Sequence, residues 1–217
     1  MKNLLFKELH LSTPLLTFLF LAFSLMTFIP GYPILMGVFF VCFGIFQSYQ
    51  FGREDNDILY TVLLPIKKSD AVGAKFASAA VLQMVSFLFF TAFTLVRMMF
   101  LPEVAAYKNN ALRGANFTFL AFVLLIFAAF NVIFIGGFFK TAYKIGKPFI
   151  VFITVSLIII AAAEALHHLP YLSWTNTLDF SDSAKQIPVL ALSAVVYVFS
   201  TLISCNIAKR RFEKIDL

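Results

Sequence analysis

One carboxylate and two imidazoles lie close together near the end of an apolar run of the sequence. Glu164 precedes His167 and His168 by three and four residues, which places all three side chains on one face of a helix. Such groups can bind a metal ion, but related di-iron proteins need two Glu-x-x-His motifs and further carboxylates, and this chain has one motif. The spacing therefore favours a local carboxylate–imidazole pair, and a role for Glu164 in gating or substrate contact stays open.

Three more polar side chains, Gln83, Ser86 and Asn131, interrupt long apolar runs. Polar groups inside a membrane are costly and often mark functional positions, so these residues and Glu164 are candidates to line or gate a translocation path. The alternative is that they form hydrogen bonds between helices, which contribute about 0.6 kcal/mol each. The sequence alone leaves both interpretations open.

Motifs for catalysis and nucleotide binding are missing from the sequence. An intramembrane protease needs a Ser–His pair, a His-Glu-x-x-His helix or paired aspartates, whereas Glu164 is the one acidic residue inside an apolar run. Gly146-Lys147 is the nearest match to a phosphate-binding loop, but Thr141 replaces its first glycine and Pro148 follows the lysine. We therefore expect no catalytic residue, metal or cofactor in this chain.

The composition excludes a soluble protein. Of 217 residues, 61% are hydrophobic, only 13% are charged and 29 are phenylalanine, whereas soluble domains carry about 25% charged residues. Six apolar runs are long enough to cross a membrane as helices, at about 14–30, 33–51, 71–100, 115–139, 148–166 and 187–207. The sequence predicts an all-α integral membrane protein with six transmembrane helices, in which residues 1–217 form a single transmembrane domain.

The basic residues are distributed unevenly over the loops between these runs. If the N-terminus is cytoplasmic, thirteen of the 17 Lys and Arg residues fall on the inner side: Lys2, Lys7, Arg53, Lys67, Lys68, Lys75, Lys140, Lys144, Lys147, Lys209, Arg210, Arg211 and Lys214. Cytoplasmic loops are typically rich in Lys and Arg, so we expect both termini to be cytoplasmic. The same asymmetry accounts for the net charge of +6, and we expect no binding of nucleic acid.

The segment before the first apolar run has the pattern of a helix that lies along the inner membrane surface. Within residues 1–12, polar and apolar side chains fall on opposite faces of a helix: Asn3, Lys7 and His10 on one face, and Leu5, Phe6 and Leu9 on the other. The simpler alternative is that this segment only begins the first transmembrane helix, anchored by its lysines.

A second short helix is expected in the loop between the second and third apolar runs. The acidic stretch 55–57 can cap such a helix, and Pro65 ends it. Between them, four residues form one apolar face about two turns long: Ile58, Leu59, Val62 and Leu63. Because this helix is too short to cross a membrane and too apolar for water, we expect it to bind in a groove on a cytoplasmic partner. Contact with lipid or with the chain's own helix ends is the alternative.

The order of these features resembles the small permease subunits of type-2 ABC exporters, in which an interface helix precedes six transmembrane helices. Such permeases carry an acidic stretch, a coupling helix, a Leu-Pro pair with basic residues and a Lys-aromatic pair in their first cytoplasmic loop. The matching segments here are Glu54-Asp55-Asn56-Asp57, Leu63-Leu64-Pro65-Ile66-Lys67-Lys68 and Ala74-Lys75-Phe76. The resemblance covers the topology of the whole chain, and its motif-like part is confined to residues 52–76.

The resemblance implies a permease that works as a homodimer, or as a heterodimer with a related permease, in the bacterial cell membrane. Two copies of a separate ATPase would bind its cytoplasmic side, and ATP with Mg²⁺ would be held there rather than in this chain. The cargo of such permeases includes peptides and other amphipathic or apolar molecules. The residues that the resemblance assigns to ATPase coupling, in the region 54–66, are Glu54, Asp55, Asp57, Ile58, Leu59, Val62, Leu63 and Pro65.

Two other functional classes stay open. A secondary transporter or channel would usually show charged residues at the membrane centre or paired broken helices, and neither is evident in this sequence. A non-transporting immunity or scaffold protein would only bind a partner, without ATP dependence, and it would tolerate changes in residues 54–66.

Overall fold

The computed structural model describes residues 2–215, which form helices, turns and irregular segments and contain no strand. In chain order the helices are α1 (Lys2–His10), α2 (Leu15–Phe28), α3 (Met36–Glu54), α4 (Asp57–Leu63), α5 (Lys68–Phe100), α6 (Ala105–Lys108), α7 (Phe117–Phe138), α8 (Gly146–Leu166) and α9 (Ser183–Phe212). This architecture confirms the all-α prediction. Met1 of the predicted interface helix, and residues 216–217 of the predicted domain, lie outside the described residues.

Four helices, α5, α7, α8 and α9, are long and apolar enough to cross a membrane. The pair α1 and α2 meets the same criterion together but is bent by 84°, so residues 2–215 contain four or five candidate spans by length and composition. Helix α3 is 19 residues long, about 28 Å, but Gln47, Ser48 and Gln50 make its second half polar. The transmembrane helix predicted over 33–51, and with it the total of six, stays a prediction.

A sharp bend separates α1 from α2. Thr13 Oγ1 donates a hydrogen bond to the Glu8 carbonyl oxygen at 2.8 Å, which closes the end of α1. Pro14 directly precedes α2 with φ −68°, a value that suits the beginning of a helix. Helix α1 is therefore a separate element, and its position on a membrane surface stays a prediction.

Glycines allow α2 and α3 to approach closely. A Cβ atom on Gly44 would lie 2.4 Å from Phe20 Cβ, and a Cβ atom on Gly37 would lie 2.6 Å from the Phe23 carbonyl oxygen. Thr17 Oγ1 donates to the Gly44 carbonyl oxygen at 2.8 Å. The two helices are thus in backbone contact, which larger residues at these positions would prevent.

Phenylalanine side chains fill the space between α3, α7 and α8. The rings of Phe46 and Phe149 stack with centroids 3.7 Å apart, and Phe134 packs edge-on against both. Phe130 and Phe152 extend this cluster and are fully buried. Because these rings serve internal packing, the abundance of phenylalanine does not by itself indicate an apolar cargo.

Helix α7 is the most enclosed of the four long apolar helices, and a π-helical segment, Phe130–Ile135, interrupts it. Such segments shift the backbone hydrogen-bond pattern and frequently occur at functional positions. Here Ser204 Oγ of α9 donates to the Asn131 carbonyl oxygen at 3.1 Å. A Cβ atom on Gly136 would lie 2.5 Å from the same Ser204 Oγ. Helix α9 therefore packs directly against the irregular part of α7.

Candidate functional site

Four charged side chains from three helices meet at one end of the structure. Lys75 Nζ of α5 lies 2.6 Å from Glu8 Oε2 of α1 and 2.7 Å from Asp57 Oδ2 of α4. Lys7 Nζ lies 3.2 Å from Glu8 Oε1, forms an ion pair with Asp57 Oδ1, and donates to Thr61 Oγ1 at 2.7 Å. The four charges, Lys7, Glu8, Asp57 and Lys75, are termed the ion cluster.

Burial makes the ion cluster a strong link between α1, α4 and α5. The side chains of Glu8, Lys75 and Asp57 are 4%, 9% and 12% exposed, and two positive charges balance two negative ones. Removing one member of a buried ion pair leaves an uncompensated charge, which typically costs about 3–5 kcal/mol. Burial raises the pKa of Asp57, but the positive charges of Lys75 and Lys7 outweigh burial and lower that pKa below its usual value. Asp57 is therefore ionised at neutral pH.

The backbone on both sides of α4 explains why this helix is short. Asn56 adopts a left-handed conformation with φ 52°, which asparagine tolerates better than most residues, and it separates α3 from α4. Leu64 is extended, as expected for the residue before Pro65. The helix therefore spans Asp57–Leu63, close to the predicted bounds, although the Asn56 side chain makes no capping hydrogen bond.

The apolar side chains of α4 point in two directions, and the single apolar face predicted from the sequence is divided between them. Ile58 and Val62 pack against the buried core of the protein. The exposed apolar side chains are Leu59, Tyr60, Leu63 and Leu64, and they are termed the outer face of α4. One half of the predicted face thus contacts the protein's own helices, and the other half is exposed.

The acidic stretch before α4 is also divided. Asp57 belongs to the ion cluster, whereas Glu54 and Asp55 are exposed at the end of α3. Beside them, a cavity of about 190 Å³ separates α4 from the loop that follows α7, and its lining includes Arg53, Leu59 and Tyr143. Most of the predicted coupling residues therefore belong to a short helix that is anchored on one side and exposed on the other.

Two of the four predicted path residues, Gln83 and Asn131, form a buried pair between α5 and α7. Gln83 Nε2 donates to Asn131 Oδ1 at 2.9 Å, and Asn131 Nδ2 donates to Gln83 Oε1 at 3.0 Å. Tyr197 of α9 donates to Gln83 Oε1 at 2.8 Å, and Asn131 donates to Thr201 Oγ1 at 2.9 Å. This network supports the interpretation that these amides join helices.

The other two predicted path residues lie apart from this network. Ser86 Oγ donates to a carbonyl oxygen of its own helix at 2.9 Å. Glu164 lies near the far end of α8, where Oε2 accepts a hydrogen bond from the Arg113 backbone at 2.8 Å. His167 Nε2 contacts the Ala111 carbonyl oxygen at 3.1 Å. Within residues 2–215, the hydrogen bonds of Glu164 and His167 go to the loop before α7, and the carboxylate–imidazole pair stays a prediction.

Arg113 organises that far end of the structure. Its side chain is fully buried and donates to the carbonyl oxygens of Ala163 at 3.0 Å and Thr175 at 3.1 Å. Burial lowers the pKa of Arg113 to about 10, partly offset by Glu164. The arginine thus joins the loop before α7 to α8 and to the 3₁₀ turn Ser173–Asn176. Among residues 2–215, no group of three or more His, Cys, Asp or Glu side chains could hold a metal ion.

The sequence patterns do not reveal Glu8 and Arg113, whose buried side chains join separate elements of the structure. A usable signal exists for the ion cluster, since Lys75 interrupts the apolar beginning of α5 and a buried lysine needs a compensating charge. That requirement points to acidic residues near the same membrane surface. It does not single out Glu8, which lies in a different helix far away along the chain.

Comparison with known protein families shows what the chain is similar to. A family model described as ABC-2 family transporter protein matches residues 3–209, from the second residue of α1 to the last turn of α9. No curated protein and no solved structure matches the chain.

Proposed function

This multi-pass membrane chain belongs to the ABC-2 family of transporter proteins, and we propose that it is the permease subunit of an ATP-driven exporter. In this proposal α4 is the coupling helix, and its outer face binds a separate cytoplasmic ATPase. Two copies of that ATPase bind and hydrolyse ATP with Mg²⁺. Two permease chains, either identical or related, form the transport path.

The observation that carries this proposal is the apolar outer face of α4. Leu63 is 75% exposed and Leu59 is 44% exposed, on a helix of seven residues that is too short to cross a membrane. Apolar surface transferred from water into a partner stabilises the complex by about 25 cal/mol per Å². Short amphipathic helices typically bind partners by laying such a face into a groove. The ion cluster on the opposite side of α4 favours a fixed orientation of this face.

The ion cluster provides a route by which a movement of α4 reaches the membrane. Asp57 connects α4 to Lys75 near the beginning of α5, and α5 has 33 residues, a length of about 50 Å. About two turns after Lys75, Gln83 links α5 to Asn131 in the π-helical segment of α7. A push on α4 by the ATPase is therefore transmitted to α5 and then to α7.

The rest of the proposal concerns the arrangement in the membrane. Helices α2 and α3 complete a set of six transmembrane helices, and α1 lies on the cytoplasmic surface of the bacterial cell membrane. Both termini are cytoplasmic, as the distribution of Lys and Arg predicts. The cargo is a peptide or another amphipathic or apolar molecule, and Ser86 and Glu164 remain candidates for contact with it.

Site-specific crosslinking tests whether the outer face of α4 contacts an ATPase. A photoreactive amino acid at position 63 should crosslink in native membranes to a soluble chain that carries a phosphate-binding loop. The matched control is the same amino acid in place of Leu169, which is exposed just beyond the far end of α8 and should give no such product. Leu59→Asp and Leu63→Asp should lower transport while the ATPase still hydrolyses ATP and the membrane domain stays folded.

The alternative functions predict a different result in the same experiments. A secondary transporter, a channel or a non-transporting immunity or scaffold protein has no ATPase to crosslink at position 63. In those cases Leu59→Asp and Leu63→Asp would leave transport or partner binding at the wild-type level, with normal expression. Such an outcome would overturn the coupling role of α4.

A further inference from the structure

A cavity of about 380 Å³ lies where α7, the following loop and α8 meet the last turns of α9. Four of the residues that line it are basic and are termed the rim: Lys140, Lys144, Lys147 and Arg211. Its apolar lining comes from α7 and α8 and consists of Val132, Ile133, Pro148 and Val151, of which Val132 and Val151 are themselves exposed. A second cavity of about 380 Å³ adjoins it, since both share Val132, Gly136 and Arg211. The site is therefore an open groove that combines cationic side chains with an apolar surface.

The positive charge of the rim is not balanced by nearby carboxylates. Within residues 2–215, none of the four basic side chains forms a salt bridge. Like charges around one opening repel each other and create a positive potential there, which attracts anions. An anion bound between the four side chains would relieve this repulsion.

The position of the rim indicates the kind of anion. The basic residues lie at the ends of three helices that are apolar enough to cross a membrane, and the apolar lining continues from them toward the membrane interior. A small soluble anion would use only the rim. A phospholipid would use both parts, with its phosphate among the lysines and its acyl chains along Val132 and Val151. The volume lies within the range of about 300–1,000 Å³ that is typical of small-molecule sites.

We propose that this cavity binds the headgroup of an anionic phospholipid from the membrane leaflet on the basic side of the protein. Basic sites between transmembrane helices are suited to such headgroups. With the orientation proposed above, this leaflet is the cytoplasmic one. A bound lipid joins the loop after α7 to Arg211 of α9, next to the contact between Gly136 and Ser204, and so it stabilises the packing of α9 against the irregular part of α7.

The test compares phosphatidylglycerol with zwitterionic phosphatidylcholine on the purified full chain. Native mass spectrometry should show phosphatidylglycerol retained in preference, and this lipid should raise the melting temperature of the protein more than phosphatidylcholine does. The triple variant Lys140→Ala, Lys144→Ala, Lys147→Ala should bind phosphatidylglycerol about a hundredfold more weakly. Each basic side chain at an anionic surface contributes about fivefold in affinity, and three such losses multiply.

Two variants separate a defined site from general charge attraction. The control triple variant Lys2→Ala, Lys67→Ala, Lys214→Ala removes the same charge from exposed residues that do not line the cavity, and it should retain the lipid. Val132→Trp keeps every charge but places a bulky ring over the apolar part of the groove, and it should weaken lipid binding.

Three results would overturn the proposal. They are equal loss of binding in the two triple variants, no preference for phosphatidylglycerol over phosphatidylcholine, or stabilisation by inorganic phosphate as large as that by the lipid. None of these measurements involves an ATPase, so their failure is distinguishable from failure of the proposed coupling role.

Discussion

Replacing Lys75 with methionine removes the ammonium group at the centre of the ion cluster while keeping a side chain of similar length. The Lys75 ammonium contacts Glu8 at 2.6 Å and Asp57 at 2.7 Å. After the substitution, only Lys7 balances these two carboxylates, whose side chains are 4% and 12% exposed. One negative charge then lies in a buried site without compensation.

The size of the effect follows from that burial. Breaking a buried ion pair by removing one partner typically costs about 3–5 kcal/mol. The double variant Glu8→Gln, Lys75→Met leaves Lys7 opposite Asp57 and restores the balance of charge. Since the two residues are in direct contact, we expect the double variant to be about 2 kcal/mol more stable than the sum of the single effects, within the range of about 0.5–3 kcal/mol for coupled residues.

Hydrogen exchange of the α1 and α4 backbone amides measures the opening of these helices from the rest of the protein. Lys75→Met should accelerate exchange at least a hundredfold, since about 1.4 kcal/mol corresponds to tenfold. Lys67→Met is the control, because Lys67 is exposed directly before α5 and its replacement should change stability by less than about 0.5 kcal/mol. Unchanged protection in Lys75→Met, or additive effects in the double variant, would refute the view that the ion cluster holds α1 and α4 in place.

Two further predictions concern stability. Gly44→Ala should destabilise the protein by about 1–3 kcal/mol through overpacking, because its Cβ atom would lie 2.4 Å from Phe20 Cβ. Gly146→Ala is the control and should be neutral or slightly stabilising, because its Cβ atom would meet no atom within 4 Å. Equal melting temperatures for the two variants in thermal unfolding would contradict the close contact at Gly44. The second prediction concerns pH. Burial raises the pKa of Asp57, but Lys75 and Lys7 lower that pKa below 3.8 overall. The contribution of Asp57 to stability is therefore present above about pH 4 and is lost as the pH falls through the lowered pKa of the folded state. Unfolding measured as the pH falls below about 4 should show this loss in the wild type, and the part of the loss that belongs to Asp57 should be missing in Asp57→Asn.

Most helix positions could be predicted from the sequence, because each long apolar run has one stable form in a membrane. The run 148–166 became α8 (Gly146–Leu166), and the run 71–100 became α5 (Lys68–Phe100). The irregular segments could not be predicted. The π-helical segment Phe130–Ile135 accepts a tertiary hydrogen bond from Ser204 of α9 at one of its backbone carbonyls, and no local pattern indicates that contact.

The candidate site, too, could be predicted from the sequence only in part. The short helix before Pro65 follows from local signals, which is why α4 lies close to its predicted bounds. Its orientation does not follow from them, because Ile58 with Val62 and Leu59 with Leu63 are two adjacent apolar pairs on one helix. Packing against the core decided which pair faces outward. The ion pair between Glu8 and Lys75 likewise joins residues from α1 and α5, and spacing along one element cannot indicate it.

Gentle purification of the chain from its native membrane, followed by mass spectrometry of what stays bound, tests the proposed function most directly. We predict a stoichiometric soluble ATPase with a phosphate-binding loop, retained by the wild type and by Leu169→Asp but lost from Leu63→Asp. Recovery of the permease alone or as a dimer, with no nucleotide-binding partner in any variant, would contradict the proposal that α4 couples this protein to ATP hydrolysis.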